Sequence, residues 1–195
     1  MSLTALKIYA KQNNIPITKD ETMEFITNYI NEHQVKTILE IGTAIAYGSI
    51  NMAMCDSVQS VETLEISTEN YRQALINIAQ NNLLDKIDAH LIDAKWFIDE
   101  CDKKYDLIYL DGPKGQYANY LPRLLELLNP NGTIIADNIF FHGMVNGEIV
   151  TPASCRSMVN GLRSYVDEVT HNDKLQSHIY QIGDGICVTR LKKQT

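Results

Sequence analysis

The spacing of apolar positions changes several times along the chain, and each change marks an element. Two opening segments, near Leu3–Gln12 and Lys19–Glu32, repeat every three to four residues, the spacing that gives a helix one apolar face. Asn13-Asn14-Ile15-Pro16 separates them, because proline cannot continue a helix interior. Short unbroken apolar runs follow, and Thr37–Ile41, Ser60–Leu64, Ile87–Ile92, Leu107–Asp111 and Thr133–Asp137 read as buried strands. Helical patterns lie between them, such as Thr68–Asn81 and Tyr117–Leu128. The second closes on Asn129-Pro130-Asn131-Gly132, a stop and turn signal. Regular alternation of strand and helix implies a parallel sheet with helices on both faces. Beyond Asp137 the pattern becomes a loop, a helix near Arg156–Val169 and two strands, Ser177–Ile182 and Gly185–Leu191, joined by Gly183-Asp184 as a hairpin turn. The expected fold is therefore α/β and Rossmann-like. Its sheet is mostly parallel and seven-stranded, with an antiparallel C-terminal hairpin and extra N-terminal helices.

Composition narrows the picture. The 195 residues suffice for one domain with a substantial core, expected to span 1–195. No apolar run approaches the roughly 20 residues of a membrane helix, and the first residues do not resemble a secretory signal. Cys55, Cys101, Cys155 and Cys187 show no Cys-x-x-Cys spacing, which fits free thiols in a reducing compartment and a cytoplasmic location. A formal charge of -7 argues against a general nucleic-acid coat but leaves room for a local basic patch.

Candidate chemistry gathers at the carboxyl ends of the strands, where open sheets of this kind bind ligands. Thr37-Ile38-Leu39-Glu40-Ile41-Gly42-Thr43-Ala44 is a strand entering a glycine turn, and Gly42 permits close backbone approach. A dinucleotide site would need Gly-x-Gly-x-x-Gly, but Ala44 and Tyr47 hold the second and third glycine positions, so NAD is disfavoured. A plain strand-to-helix turn is the rival reading. Glu65 can accept the two hydroxyls of a ribose, or it is a solvated acid ahead of the helix cap Ser67. Asp93-Ala94 can meet an adenine amino group, or Asp93 is itself a helix N-cap. Their order at successive strand ends ties the three together.

Leu110-Asp111-Gly112-Pro113-Lys114-Gly115-Gln116-Tyr117 follows the fourth strand, and Ala136-Asp137-Asn138 ends the fifth. Two carboxylates and a carboxamide form an all-oxygen donor set, suited to Mg²⁺ or another hard cation rather than zinc. Methyl transfer from a sulfonium requires a deprotonated oxygen nucleophile, and a bound cation lowers the pKa of that oxygen and fixes its direction. Lys114 lies one loop turn from Asp111, placed to take the proton. The alternative makes Asp111 and Asp137 turn or helix caps and Lys114 a surface charge.

The segments Leu39–Ala44, Glu65, Asp111-x-x-Lys114-Gly115-Gln116-Tyr117 and Asp137-Asn138 together resemble the cation-dependent O-methyltransferases related to catechol and caffeoyl-CoA methyltransferases. The likeness runs from the opening helices to Gly183-Asp184-Gly185. Within that group the chain is most similar to bacterial tRNA 5-hydroxyuridine methyltransferases, which make 5-methoxyuridine at the wobble position. That closer likeness is carried by Tyr9-Ala10-Lys11 through Ile15-Pro16-Ile17, and by Arg156-Ser157-Met158-Val159 with Leu162-Arg163. The resemblance implies S-adenosyl-L-methionine and a divalent cation such as Mg²⁺ as cofactors, and a homodimer. It makes Asp111, Asp137 and Asn138 the metal ligands, with Asp111 also near the methionine amino group, and Lys114 the catalytic base with Asp111 beside it. Gly42 and Gly48 would line the cofactor, Glu65 would hold the ribose and Asp93-Ala94 the adenine. Thr18, beside Ile17, would lie in a loop covering the cofactor.

Four positions depart from the family pattern. Ala46 replaces a glycine, which adds only a methyl. Gly48 replaces a serine that touches the cofactor, removing a hydrogen bond worth about 1 kcal/mol, with Ser49 as a substitute donor. Gly112-Pro113 replaces a pair of alanines. A 5-hydroxyuridine and a catechol can both chelate a metal, so the chemistry admits either substrate. Lys7, Lys11, Arg123, Arg156 and Arg163 are candidate contacts for an anticodon loop, against a default of solvated helix charges. Phe140, Phe141 and Tyr117 are candidates for base stacking, against a default of core packing. A tRNA wobble-uridine methyltransferase, a methyltransferase of catechol-like small molecules, and a non-catalytic cofactor- or RNA-binding protein of the same fold are the three functions the sequence leaves open.

Overall fold

The computed structural model describes residues 2–193, which divide into two compact units, one ending at Glu100 and the other beginning at Cys101. In the first unit, α1 (Leu3–Gln12) starts where the Ser2 hydroxyl accepts the Ala5 N–H at 3.3 Å, and it buries Leu6 and Ala10. That bond satisfies one of the donors every helix start leaves free. The next helix, α2 (Asp20–His33), buries Thr22, Met23, Ile26, Tyr29 and Ile30. These recur at helical spacing, so one face packs and the other is solvated. It ends at Gln34, whose left-handed backbone (φ 52°) stops the helix.

Three parallel strands complete the unit's sheet: β1 (Thr37–Ile41), β2 (Ser60–Glu65) and β3 (Ile87–Leu91), in the order β3-β2-β1. They are joined by α3 (Tyr47–Ala53) and α4 (Thr68–Gln80) and followed by α5 (Ala94–Glu100). The central residues of β1 and β2 are buried without alternation, as expected of strands covered on both faces.

In the second unit β4 (Tyr105–Leu110) pairs in parallel with β5 (Leu128–Ala136). A short 3-10 turn (Lys114–Gln116) and α6 (Tyr117–Glu126) connect them. After a long loop, a 3-10 turn at Ala153–Cys155 leads into α7 (Arg156–His171). The strands β6 (Leu175–Tyr180) and β7 (Ile186–Leu191) then complete the order β4-β5-β7-β6, with β7 antiparallel to both neighbours. The described residues thus hold seven strands, mostly parallel, with the antiparallel hairpin and the additional N-terminal helices that the sequence predicts.

Two local expectations differ. The stop signal Asn129–Gly132 lies inside β5 instead of ahead of it. Its turn chemistry persists as an irregularity: Asn131 is left-handed (φ 66°), and the pairing jumps from Tyr105↔Leu128 to Leu107↔Thr133. The hairpin connection is also longer than Gly183-Asp184, because β6 ends at Tyr180 and β7 begins at Ile186. The carbonyls of Asp184 and Gly185 accept the N–H groups of Phe140 and Ile139 at 3.0 and 3.1 Å, so this turn binds the loop after β5. Among the described residues, no helix is long and apolar enough to cross a membrane.

Candidate functional site

In the first unit β1 ends on Gly42 (φ 110°), and the chain stays left-handed at Ala44 (φ 46°) and Ala46 (φ 65°) before α3. The Gly42 and Thr43 N–H groups bond the Leu64 carbonyl at 3.0 and 3.1 Å, which fixes this turn against the end of β2. Glu65 is buried there and accepts three backbone N–H groups: Ala44 at 2.8 Å, Ile66 at 2.9 Å and Ser67 at 2.8 Å. A carboxylate offers about four acceptor directions, so one remains for a ligand hydroxyl. The end of β3 is tied alongside by Ile92 N–H to the Glu65 carbonyl at 2.9 Å. Asp93 accepts the Lys95 N–H at 2.8 Å and so does act as the cap of α5, with Ala94 buried behind it. Thr18 is buried at the entrance to α2.

The departures at Ala46 and Gly48 acquire a physical account. Glu40 is fully buried in β1, and its carboxylate accepts the Thr63 hydroxyl at 2.6 Å and the Ser49 hydroxyl. A Cβ at Gly48 would collide with Glu40 Oε1, so a serine there would force the Glu40 carboxylate to shift from its buried position. Ser49 does not stand in as expected, since its proton is committed to Glu40 and its side chain is wholly buried. Ala46 carries more than an extra methyl. Its left-handed backbone suits glycine, and an L-residue there costs about 1–2 kcal/mol.

The second unit carries the chemical motifs. Register Leu110↔Ala136 aligns the ends of β4 and β5, so Asp111 and Asp137 leave adjacent strands at the same level. Asp137 is buried, and three groups position it. The Asn138 N–H donates to Oδ1 at 2.7 Å, the Tyr109 hydroxyl donates to Oδ2 at 3.3 Å, and its own N–H bonds the Leu110 carbonyl at 3.0 Å. Burial, reinforced by the charge of Asp111, pushes the Asp137 carboxyl from 3.8 up to about 7; the Asn138 N–H, Lys114 and Tyr109 only partly offset this. Lys114 Nζ lies 3.3 Å from Asp111 Oδ1. Asn138 adopts a left-handed backbone (φ 57°), a conformation that asparagine tolerates better than most residues.

Whether a cation fits can be judged from these groups. Paired carboxylates with one held protonated near neutrality are a site short of positive charge, and an all-oxygen donor set matches a hard divalent ion. Asp111, Asp137 and Asn138 fit one.

Lys114 is positioned by packing that sequence reasoning missed. Its 3-10 turn lies against α7, where a Cβ at Gly161 would strike the Gly115 carbonyl and lie 2.8 Å from Gly115 Cα. The signal was a glycine inside a helical pattern, which marks close backbone approach. Tyr117, expected as a stacking surface, is fully buried instead. Its hydroxyl donates to the Leu110 carbonyl at 2.9 Å, and its ring meets Tyr165 edge-on at 5.7 Å.

A separate constellation also escaped the sequence reading. Glu62 and Asp88 face each other across β2 and β3, and His90 Nε2 lies 3.3 Å from Glu62 Oε1 and 3.5 Å from Asp88 Oδ2. Their ligand-type atoms all fall within 4.8 Å of one another. The buried Nε2 makes ion-pair contacts without an aligned hydrogen bond. These residues are distinct from Asp111, Asp137 and Asn138.

A sequence model of the O-methyltransferase family matches residues 2–192. The chain belongs to that family. Among its relatives, a caffeoyl-CoA O-methyltransferase of Petunia hybrida is 30% identical over 190 residues, covering 91% of this chain and 77% of that protein. The Arabidopsis thaliana caffeoyl-CoA O-methyltransferase 1 is 28% identical, covering 91% and 72%. A crystal structure from Staphylococcus aureus, provisionally named a caffeoyl-CoA O-methyltransferase, superposes with a TM-score of 0.91 at 29% identity, covering 98% of this chain and 93% of that one. An O-methyltransferase from Bacillus cereus in complex with SAH shares the fold, with a TM-score of 0.83 at 22% identity, covering 97% and 90%. The architecture is that of the class I methyltransferases.

Proposed function

We propose that this protein is a divalent-cation-dependent, S-adenosylmethionine-dependent O-methyltransferase that converts 5-hydroxyuridine at the tRNA wobble position to 5-methoxyuridine. The single observation that carries the catalytic part is Asp137, buried beside Asp111 and Asn138 at the ends of two adjacent strands and left short of positive charge. The family match across residues 2–192 supports one catalytic domain over 1–195. On this reading the enzyme works in the cytoplasm as a homodimer.

Asp111, Asp137 and Asn138 would hold the cation. Bound there, it would lower the pKa of the substrate hydroxyl and orient the oxygen toward the methyl group. The chain's own residues do the rest. The Tyr109 hydroxyl and the Asn138 N–H keep the Asp137 carboxylate in one orientation. Asp111 lies 3.3 Å from Lys114 Nζ and positions it, and in its neutral form that amine would take the proton from the hydroxyl as its oxygen attacks. The C–O bond forms as the carbon–sulfur bond of the sulfonium breaks, leaving a neutral thioether. Gly42, Gly48 and the turn they bracket would cradle the donor. Glu65 would use its remaining acceptor direction on the ribose, and Asp93-Ala94 would meet the adenine. Thr18 would cover the cofactor from the entrance to α2.

Among the five basic residues considered for RNA, three already have partners. Lys7 pairs with Asp20, Arg123 with Glu126, and Arg163 bonds the carbonyls of Met144 and Val145. Among the described residues Lys11 and Arg156 are exposed and have no such partner, so they are the residues this reading assigns to tRNA phosphates. Phe140 and Phe141, both partly exposed, remain for base stacking.

The relatives' names favour a second reading, a small phenolic substrate of the caffeoyl type. The non-catalytic reading loses the part of its motive that rested on Gly48, because the buried Glu40 carboxylate occupies the space a side chain there would need. Nucleoside analysis of tRNA from cells with and without the protein decides between the substrates. Loss of 5-methoxyuridine with accumulation of 5-hydroxyuridine supports the tRNA reading. Unchanged tRNA, with methylation of a catechol by the purified protein, contradicts it.

A further inference from the structure

The loop that follows Asn138 is strained. Asn138 (φ 57°), Phe141 (φ 43°) and His142 (φ 56°) are left-handed non-glycine residues within five positions. Each such residue carries a penalty that persists only where the surroundings over-determine the conformation. Here the surroundings are the turn between β6 and β7. The Ile139 N–H donates to the Gly185 carbonyl at 3.1 Å and the Phe140 N–H to the Asp184 carbonyl at 3.0 Å. The His142 N–H is shared between both carboxylate oxygens of Asp184, at 2.8 and 3.0 Å. Gly185 (φ 89°) is obligatory, since a Cβ there would come within 2.5 Å of the Phe140 ring.

Asp184 is the unusual member of this arrangement. It is buried, yet among the described residues its one ion-pair contact is to His142, whose Nδ1 lies 3.6 Å away and whose ring is largely exposed. Burying a carboxylate on so little compensation is costly. A neutral acceptor could satisfy one N–H, so stability alone does not call for an acid. Through the His142 N–H Asp184 ties down the loop whose left-handed residues are Asn138, Phe141 and His142.

We propose that Asp184 is a positioning residue for the cation site: by holding the His142 N–H it fixes the loop that aims Asn138. This rests on the proposal that Asp111, Asp137 and Asn138 hold a divalent cation.

The test measures Mn²⁺ binding directly, from the paramagnetic resonance signal of the free ion, in the absence of methyl donor and acceptor. Asp184→Ala should weaken Mn²⁺ binding at least tenfold. Asp184→Asn, which keeps an acceptor for the His142 N–H, should restore it to within about threefold of the unaltered protein. In turnover, the alanine variant should raise the Mn²⁺ concentration needed for half-maximal rate, while kcat at saturating metal falls much less. Folded Asp184→Ala protein that binds Mn²⁺ normally would overturn the proposal. Asn138→Ala separates this from failure of the underlying reading. If that variant also binds Mn²⁺ normally, the cation site itself is misassigned and the role of Asp184 falls with it. Hydrogen exchange in the unaltered protein reads the same coupling even if Asp184→Ala does not fold: Mn²⁺ should slow exchange of the Ile139, Phe140 and His142 amides. Unchanged exchange at saturating Mn²⁺ overturns the proposal.

Discussion

At the scale of single residues, the decisive group is Asp137. Its carboxyl titrates near pH 7 in the folded chain against 3.8 ordinarily. The folded state therefore holds this proton more tightly than the unfolded one. The stability it contributes is complete below pH 3.8 and is lost as pH rises through about 7. Without cation, the unfolding temperature of the unaltered protein should fall relative to Asp137→Asn, which cannot titrate, as pH rises from 3.8 to about 7. Excess Mg²⁺ should remove that difference, because metal and proton compete for one carboxylate. Two further residue predictions concern the cap and first turn of α3. Ala46→Gly should stabilise the protein by about 0.5–1 kcal/mol in urea unfolding, the relief of a left-handed L-residue less the added chain entropy of glycine. Gly48→Ser should destabilise it by about 1–3 kcal/mol, because the new side chain meets Glu40.

At the scale of elements, the 3-10 turn carrying Lys114 depends on α7. Gly161→Ala improves helix propensity by about 1 kcal/mol in isolation. Its Cβ, however, would strike the Gly115 carbonyl and displace Lys114. Steady-state kinetics should show kcat reduced at least tenfold with the protein still folded. An unaffected rate would mean that Lys114 is not positioned in this way. This contact also shows what a sequence conceals. Strand and helix identities were legible because apolar period and proline or glycine breaks are local properties. The pairing of Gly161 with Gly115 joins residues far apart in sequence, as does the Glu62–Asp88–His90 cluster across β2 and β3. Similarly, Asn129–Gly132 has local turn chemistry that pairing with β4 overrides, leaving an irregularity within β5.

At the scale of the whole molecule, the acidic balance of -7 opposes general binding to RNA, so recognition must rest on a few exposed cations. Lys11→Gln and Arg156→Gln should each reduce the slope of log tRNA affinity against log salt by about one, whereas methylation of a small catechol should not change. If neither variant alters the slope, these residues do not meet the tRNA backbone. The candidate metal trio and Lys114 were visible in sequence as two short motifs at strand ends. What sequence could not supply was the environment that gives Asp137 its raised affinity for a proton, since burial and the nearness of Asp111 exist only once β4 and β5 pair.

The central claim is that these oxygen ligands make methyl transfer cation-dependent. Its most direct test is transfer of a labelled methyl group from S-adenosylmethionine to tRNA from cells lacking this protein, measured with Mg²⁺, with a chelator, and with Asp137→Ala. Transfer with Mg²⁺ and a loss of at least a hundredfold in the other two conditions is the predicted result. Equal transfer in the presence of chelator, or by Asp137→Ala, would contradict it.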